Sequence, residues 1–215
     1  MKDPRFAKFL LFVNALVPLA LLGWDAYQQR LGANPIEYAL HTTGLLALIF
    51  LVLSLCVTPL RKLSGRNWLS HFRRMLGLFA FFYACLHFLI YLIDRDFSLA
   101  SAFNDAFGPD ARKIIVFGMA ALLSMVPLAL TSTNGMVKRL GALRWKRLHR
   151  LAYVAAIAAA IHYFLVGKVI EAQAVVFASI VALLLAYRLV ARWLPAFRQK
   201  PPVSVPSEPG RATSP

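Results

Sequence analysis

The chain has 215 residues, of which 60% are hydrophobic and only 15% are charged, and its formal net charge is +15 at pH 7. Soluble domains carry about 25% charged residues, so this composition excludes an ordinary soluble domain and indicates an integral membrane protein. A charge of this size would suggest nucleic-acid binding in a soluble protein. Here the basic residues fall between apolar runs, where they act as topology signals and anchors, and we predict no nucleic-acid partner.

Six apolar segments predict an all-α bundle that crosses the membrane six times. Each approaches or reaches the ~20 residues that a spanning helix needs. The first resembles a signal peptide but is followed by no Ala-x-Ala-like cleavage site, so we expect a retained span. We predict a membrane domain over residues 1–198 and a disordered cytoplasmic tail over 199–215, which is rich in proline and serine. The six segments are approximately Phe6–Gly23, Ala39–Thr58, Met75–Ile93, Lys113–Leu130, Leu148–Val166 and Ala172–Leu189.

The distribution of lysine and arginine predicts that both termini lie in the cytoplasm. The loops after the second and fourth segments carry five basic residues each, and further basic residues flank the first and last segments. The three alternate loops share five basic residues and hold seven of the nine acids. Cytoplasmic loops of membrane proteins are enriched in lysine and arginine, so the three alternate loops are predicted to be periplasmic.

Local motifs add three expectations. The run Asn34-Pro35-Ile36-Glu37 predicts a helix start, with an N-cap, a proline at the first helical position and an acid two residues later. The longest outer loop is predicted at Phe97–Asp110, with a turn at Gly108-Pro109. There is no Cys-x-x-Cys-His motif, and Cys56 and Cys85 lie inside apolar runs, so any haem would be held by coordination alone.

Two histidines lie at similar depth in different predicted spans. His87 precedes Asp94 by seven residues, and His162 lies just before the outer loop at Gly167-Lys168. Imidazole is a good axial ligand for iron, and two imidazoles from different helices at one depth suit bis-histidine ligation of a planar macrocycle. Small residues precede both at helical spacing, which fits either a flat cofactor or a helix-packing seam; we favour haem ligation. These small residues are Gly77, Ala80, Ala84, Ala155, Ala158 and Ala159.

His149 precedes His162 by 13 residues, which is roughly 20 Å along a helix and places it on the inner side, one turn into the fifth span. It is either a ligand of a second cofactor or an interfacial side chain, and the sequence favours neither. Its candidate partners are His71 or the basic pair Arg73-Arg74, which could hold haem propionates or a flavin phosphate. His41 starts the second span on the outer side. It either contacts a quinone or a propionate or caps the helix end, and we favour the cap.

Several stretches of the chain resemble the MsrQ (YedZ) proteins, which are the haem-binding membrane subunits of bacterial periplasmic protein-methionine-sulfoxide reductase systems. They belong to the ferric-reductase-like transmembrane superfamily. The resemblance covers about Asn34 to Tyr163 and is specific through the combination of its motifs. The stretches are NPIEYALHTTG, TPL, RRMLGLFAFFYACLH, LALTSTNGMVKRLGALRWKRLHRLAY and AIHY.

The resemblance implies a six-helix bundle of ferric-reductase-like type in the bacterial inner membrane. It also implies b-type haem, and FMN as a second cofactor. Electrons would come from the quinol pool or a cytoplasmic flavin reductase. They would pass to a periplasmic molybdopterin-containing catalytic subunit that reduces methionine sulfoxide in proteins.

Matching the family motifs to this chain identifies His87, His149 and His162 as haem-associated histidines and Arg73 or Arg74 as the basic position before the third span. One departure affects the inner site. Two-haem ferric reductases place a second histidine 14 residues before position 87, where this chain has Arg73. His71 is two residues away, which is about 200° round a helix. Two arrangements therefore stay open. The first is one outer haem with an inner flavin, and the second is two haems, of which the inner one has a different second ligand.

The sequence supports three functional hypotheses. The first is an electron-transfer subunit that itself makes and breaks no bonds in the substrate. The second is a self-sufficient transmembrane metalloreductase or a cytochrome b561-like quinone enzyme on the same scaffold. The third is a small transporter or assembly factor without haem, whose histidines bind substrate or protons.

Overall fold

The computed structural model describes residues 4–109, 112–167 and 171–193, and the predicted tail at 199–215 lies outside these ranges. Within them every regular element is a helix, which confirms the all-α prediction. The elements are α1 (Pro4–Tyr27), α2 (Pro35–Ser64), a 3-10 turn (Asn67–Leu69), α3 (Ser70–Asp94), α4 (Leu99–Phe107), α5 (Lys113–Leu130), α6 (Asn134–Leu148), α7 (Leu151–Val166) and α8 (Ala172–Trp193).

By length and composition, five helices of the described part are able to cross a membrane. They are α1, α2, α3, α5 and α8, and a sixth crossing is formed if α6 and α7, which meet at a 42° bend, act as one span. Five of the six predicted segments thus correspond to these five helices, and the segment Leu148–Val166 corresponds to α7 with the end of α6. The chain is a multi-pass membrane protein with five to six spanning helices, and the orientation of its termini stays a prediction.

The bundle is built from two helix pairs, with α2 packed along α3 and α5 packed along α7. α8 packs on α7 and α2, and α3 also contacts α5. Aromatic residues fill the core where α2 meets α3, and the rings of Phe50 and Tyr83 stack with centroids 5.5 Å apart. Tyr83 is completely buried and donates its O–H to the carbonyl of Ala15 in α1. This packing brings α3 and α7, which carry His87 and His162, into the same part of the bundle.

The start of α2 confirms the predicted helix-start motif. Asn34 accepts a hydrogen bond from the backbone N–H of Glu37 (3.3 Å), and Pro35 is the first helical residue. The helix runs as far as Ser64 and ends at Gly65, whose φ of 67° is the left-handed conformation that glycine adopts without strain. Because α2 begins at Pro35, His41 lies in its second turn, and the favoured interpretation of His41 as a helix cap is wrong.

The predicted outer loop contains a helix that the sequence analysis missed. Ser98 caps α4 by accepting a hydrogen bond from the N–H of Ser101 (3.1 Å). Ala102 and Ala106, four residues apart, are buried, and α4 packs against α5. The loop prediction is therefore wrong over Leu99–Phe107. This segment forms a helix because its two small residues lie on one face, which lets it pack closely against α5.

The predicted fifth span is interrupted at its inner end. α6 ends at Leu148 and α7 begins at Leu151, so His149 lies in the break between two helices rather than one turn inside a single one. The basic stretch before it forms a helix of its own, with a non-helical Gly141 (φ 72°) inside it. The prediction that His149 lies within a continuous helix is wrong, and the histidine instead occupies a junction.

Candidate cofactor site

His87 of α3 and His162 of α7 face each other in the bundle. Their ring centroids are 5.9 Å apart and their planes are nearly perpendicular, at 82°. Two metal–nitrogen bonds of about 2.0–2.1 Å in line would place the ligating nitrogens about 4 Å apart, with the ring centres further away. The observed 5.9 Å is close to the spacing that two imidazoles on one metal atom require, and the expectation that the two histidines lie together in the bundle is confirmed.

Each of these imidazoles is oriented by a carbonyl from a neighbouring helix. The Nδ1 of His87 bonds to the carbonyl oxygen of Leu40 in α2 at 2.9 Å, and the Nδ1 of His162 bonds to that of Ile114 in α5 at 2.6 Å. A carbonyl can only accept, so Nδ1 carries the proton in both rings. Nε2 is then left with a free lone pair, which is the arrangement that ligating histidines adopt.

A glycine makes room for each imidazole, and the sequence analysis missed both. A Cβ placed on Gly44 would lie 3.0 Å from Cε1 and Nδ1 of His87. A Cβ on Gly118 would lie 2.8 Å from Cε1 and 2.9 Å from Nδ1 of His162. Each glycine follows the carbonyl residue by one turn, so α2 and α5 present the same device to the two histidines. The signal was an isolated glycine inside an apolar helix, which costs up to about 1 kcal/mol relative to alanine and needs a packing reason.

The small residues before the histidines serve both purposes weighed in the sequence analysis. Ala84 and Ala159, each three residues before its histidine, line the cavity beside the rings. Gly77 instead lies against Ser54 of α2, whose Oγ would be 3.6 Å from an added Cβ, and Ala80 and Ala155 are completely buried. The nearest turn therefore opens onto the cavity, and the more distant turns pack helix against helix.

The histidine pair lines a cavity of about 720 Å³ between α2, α3, α5 and α7. This is within the range of about 300–1,000 Å³ found for small-molecule sites. The walls are mostly apolar, and His41, Arg95 and Tyr163 are among the polar residues that line the cavity. Two atoms of these residues, Nε of Arg95 and Oη of Tyr163, are enclosed without a hydrogen-bond partner. They are donors available to a polar group of a bound molecule.

The residues of the cavity fit a haem better than a bare metal ion. In the part of the chain that the structure describes, no three His, Cys, Asp or Glu side chains gather to hold a metal. The described residues present a pair of imidazoles here, and a porphyrin would supply the remaining ligands of an iron atom. An apolar cavity with opposed imidazoles and enclosed donors matches a flat apolar macrocycle that carries carboxylate groups.

His41 lies at this cavity but is not one of the facing pair. It is an exposed residue whose ring centroid is 6.1 Å from that of Tyr163. The structure thus places it where a cofactor carboxylate or a quinone could reach it, and that role stays a prediction.

The two inner histidines do not meet. His149 stacks on Trp145 with ring centroids 3.8 Å apart, and its Nδ1 bonds to the carbonyl of that same residue at 3.1 Å. His71 is exposed, and its Nδ1 bonds to the carbonyl of Trp68 at 2.9 Å. No ring contact joins His71 to His149 among the contacts of the described residues. Their arrangement gives no support to a bis-histidine site on this side.

The basic pair before the third span divides between two environments. Arg74 donates from Nη1 to Oδ1 of Asn134 (2.7 Å) and so ties α3 to the start of α6. Arg73 is partly buried and lies close enough to His149 and Arg188 for their charges to interact. Of the two arginines, Arg73 is therefore the neighbour of the inner histidine. Arg188 in α8 was not identified from the sequence, where it read only as one more basic residue near the C-terminus.

Comparison with known proteins shows which family this chain is similar to. The family model described as the ferric reductase like transmembrane component matches residues 43–160. The chain is 47% identical over 189 residues to the protein-methionine-sulfoxide reductase heme-binding subunit MsrQ of Herminiimonas arsenicoxydans, covering 86% of this chain and 85% of that protein. It is 46% identical over 209 residues to the protein of the same name from Rhodospirillum rubrum, covering 96% and 97%.

The corresponding protein of Deinococcus radiodurans is 50% identical over 152 residues, which are 71% of this chain and 74% of that protein. The family match includes Gly44, His87, Gly118 and His149 and ends two residues before His162. Such identity over most of both chains shows common descent. The chain belongs to the MsrQ family of heme-binding subunits of protein-methionine-sulfoxide reductase, within the ferric-reductase-like transmembrane proteins.

Proposed function

We propose that this chain is a membrane b-type cytochrome, the haem-binding electron-transfer subunit of a system that reduces methionine sulfoxide in proteins. The observation that carries the proposal is the opposed pair His87 and His162, with ring centroids 5.9 Å apart. A haem bound there would supply reversible one-electron transfer between ferric and ferrous iron. The family to which the chain belongs supports this assignment, since its members are named heme-binding subunits of this reductase.

The chain's own residues would fix the ligands and the environment of the iron. His87 and His162 would each present Nε2, because Nδ1 is held by a carbonyl. The hydrogen bonds to Nδ1 raise the basicity of the ligands and restrain the rings. The apolar lining from α2 and α5 would limit the contact of the iron with water, and Nε of Arg95 and Oη of Tyr163 could donate hydrogen bonds to the carboxylate groups of the haem.

The direction of electron flow follows from the predicted orientation. Positive-inside counting places the inner loops in the cytoplasm of a bacterium and the His87–His162 pair near the periplasmic face of the inner membrane. The donor would be the quinol pool or a cytoplasmic flavin reductase, and the acceptor a periplasmic molybdopterin-containing catalytic subunit docking on the outer loops. His149 with Arg73 would form an inner site for FMN or for a second haem.

Absorption spectroscopy of the detergent-purified protein tests the central claim. Reduction with dithionite should sharpen an α-band of b-type haem, and pigment extraction should give at least one haem per chain. A colourless preparation from haem-replete cells would exclude an electron-transfer role and leave a transporter or assembly factor. Haem and FMN counted together per polypeptide would decide between one haem with a flavin and two haems.

Reconstitution separates the proposed function from a self-sufficient reductase. Oxidation of quinol or reduced flavin in proteoliposomes should require the periplasmic catalytic subunit and a methionine-sulfoxide protein. If ferric iron alone supports full turnover, the chain is a metalloreductase. The same vesicles probed with a protease from outside would report the side on which the termini lie.

A further inference from the structure

The short helix α4 exposes a row of large apolar side chains. Leu99, Phe103 and Phe107 follow one another at intervals of four residues, so they lie along one side of the helix. They are 66%, 62% and 53% exposed. The rings of Phe103 and Phe107 contact each other, with centroids 5.1 Å apart. We call these three residues the apolar stripe, and the protein itself leaves it largely uncovered.

The remaining sides of α4 have different characters. Ala102 and Ala106 are buried, and the helix packs against α5. At about 100° per residue, the apolar stripe lies between this buried side and the side of the exposed Asn104, beyond which come Ser101 and Asp105. A helix divided in this way is typical of one that lies in the plane of a membrane interface, with its apolar side towards the acyl chains and its polar side towards water.

The connections of α4 hold it at the level where spanning helices end. Four residues separate it from the end of α3 at Asp94, and five from the start of α5 at Lys113. An extended residue spans at most about 3.3–3.6 Å, so α4 stays close to both helix ends. Trp24 and Tyr27 are exposed at the same end of the bundle, where α1 ends. Exposed tryptophan and tyrosine are typical of the membrane–water interface.

The turn before α4 gives a second, independent indication. Asp96 and Phe97 adopt left-handed backbone conformations, with φ of 50° and 58°, which are unfavourable for a residue with a bulky side chain. The Phe97 side chain is 64% exposed, so contacts within the bundle do little to offset this cost. An apolar environment outside the protein would offset it.

We propose that α4 is an interfacial anchor, whose apolar stripe, together with Phe97, is buried in lipid at the boundary between headgroups and acyl chains. The lipid contact is apolar, because the segment Leu99–Phe107 contains no lysine or arginine to attract anionic headgroups. Lipid is favoured over a docked protein because the short connections keep the stripe level with the ends of two spans.

The anchor would also stabilise the outer wall of the large cavity. Asp105, on the polar side of α4, accepts a hydrogen bond from Tyr91 and pairs with Arg95, and both of these residues line the cavity. Lipid contact on one side of α4 therefore helps to fix this wall from the other. The inference concerns a surface that the proposed function does not use, and it depends neither on a bound haem nor on the orientation of the termini.

The test compares two neighbouring exposed positions of α4 in the full-length chain, reconstituted in nanodiscs of phosphatidylcholine. Cys56 and Cys85 are replaced by alanine, and one cysteine is introduced by Phe103→Cys in the stripe or by Asn104→Cys on the polar side. Phe12→Cys, at an exposed position inside the span α1, is the reference for a lipid-facing thiol. The readout is the rate of reaction with a charged, membrane-impermeant maleimide.

We expect Phe103→Cys to react at least about tenfold more slowly than Asn104→Cys, and as slowly as Phe12→Cys, because the reactive thiolate does not form in lipid. Unfolding in detergent and urea should make the three rates equal. If Phe103→Cys does not fold, Leu99→Cys makes the same comparison.

The wild-type chain supplies a measurement that needs no substitution. In nanodiscs that contain a phosphatidylcholine with a diazirine in its acyl chain, illumination should cross-link lipid to Leu99–Phe107, as mapped by mass spectrometry. Equal maleimide rates for Phe103→Cys and Asn104→Cys in nanodiscs, or the absence of lipid adducts on α4, overturn the proposal. Equal rates followed by protection of Phe103→Cys when a periplasmic protein is added would assign the stripe to that partner instead.

Discussion

The histidines at the two ends of the bundle are held in different ways. At the outer end, His87 and His162 each bond through Nδ1 to a carbonyl that is 47 or 48 residues distant in sequence and lies on another helix. At the inner end, His149 and His71 bond to carbonyls only four and three residues before them. The outer rings are thus fixed by tertiary structure, and the inner rings by their own local backbone.

The outer site is assembled by contacts between different helices of the bundle. The inner side chains, in contrast, are positioned separately, each by its own helix end. Long-range hydrogen bonds fix the direction of a ring relative to the rest of the fold, which is what preorganised ligation needs. Local bonds orient a ring only relative to its own helix. The outer end therefore presents a preorganised pair of imidazoles, whereas the inner end presents one histidine among cations that lack carboxylate partners in the described part of the chain.

Replacing an outer histidine should have the largest effect. We expect His87→Ala or His162→Ala to abolish the low-spin bis-histidine spectrum, because an iron loses an axial ligand that no neighbouring side chain replaces. His71→Ala removes an exposed imidazole and is the control. The measurement is the reduced-minus-oxidised spectrum per mole of folded protein, and an unchanged spectrum in either outer variant would exclude the pairing.

Adding a methyl group behind an outer imidazole should have the next largest effect. Gly118→Ala would bring Cβ to 2.8 Å from the His162 ring and Gly44→Ala to 3.0 Å from the His87 ring. We expect each ring to be displaced, haem content to fall severalfold, and stability to fall by about 1–3 kcal/mol from overpacking. The first variant should be the worse because its contact is shorter.

The matched control for the glycines is Gly23→Ala in α1, where an added Cβ meets nothing within 4 Å. Alanine is favoured over glycine inside a helix by up to about 1 kcal/mol. Thermal unfolding should therefore show a change of opposite sign for this variant. Equal effects at all three glycines would mean that helix propensity, and not space beside the imidazoles, governs these positions.

Removing the carboxylate of Asp105 near the outer end should have a smaller, pH-dependent effect on stability. We call the contacts of this carboxylate with its three neighbours the acidic latch. Asp105 accepts a hydrogen bond from the hydroxyl of Tyr91 (2.6 Å) and pairs with Arg95 (3.3 Å) and Arg112 (3.1 Å). The Tyr91 hydrogen bond has the largest effect on the pKa of Asp105 and lowers it, whereas desolvation, the next largest effect, raises it. The guanidinium groups of Arg95 and Arg112 lower it further, so the pKa stays below its usual range. The latch is therefore fully present above the ordinary aspartate pKa of about 3.9 and is lost as pH falls through the lower pKa of the folded state.

We expect Asp105→Asn to lower the stability by about 1 kcal/mol at pH 7, since these groups are partly exposed. The difference from the wild type should shrink as pH falls below about 4, because the Asp105 carboxylate is protonated first in the unfolded chain and, at lower pH, in the folded state as well. Thermal unfolding between pH 3 and 7 measures it, with Asp25→Asn as the control for a simple change of charge. A difference that persists unchanged at pH 3 would contradict the latch.

Sequence reasoning found the elements of this fold whose signals are local or periodic. Apolar length gave the spanning helices, and Asn34 and Pro35 gave the start of α2. The pairing of His87 with His162 could be predicted because both lie at one depth in spans that carry few other polar groups. The close packing of α2 on α3 and of α5 on α7 could not be predicted. The roles of Gly44 and Gly118 depend on this packing, so they could not be predicted either.

The errors have physical causes of the same kind. His149 was placed inside a helix because hydropathy does not register a 42° bend between two helical segments. Residues 99–107 were predicted as loop because nine residues are too few for a spanning helix, and the whole connection between two apolar segments was therefore assigned to loop. Arg188 resembled any basic residue near a membrane face until the fold brought Tyr153 and Leu55 to it.

Removing the inner histidine should have the smallest effect and tests the comparison most directly. His149→Ala loses a stacking contact with Trp145, worth about 0.5–1.5 kcal/mol, and one hydrogen bond to the preceding turn. Because no long-range bond depends on this ring, we expect the outer bis-histidine spectrum and its midpoint potential to stay unchanged. Any loss of bound cofactor should be confined to a second haem or flavin, measured by pigment extraction. If His149→Ala instead removes the outer signal, the two ends are coupled through α7 and the division between an assembled outer site and a locally positioned inner histidine is wrong.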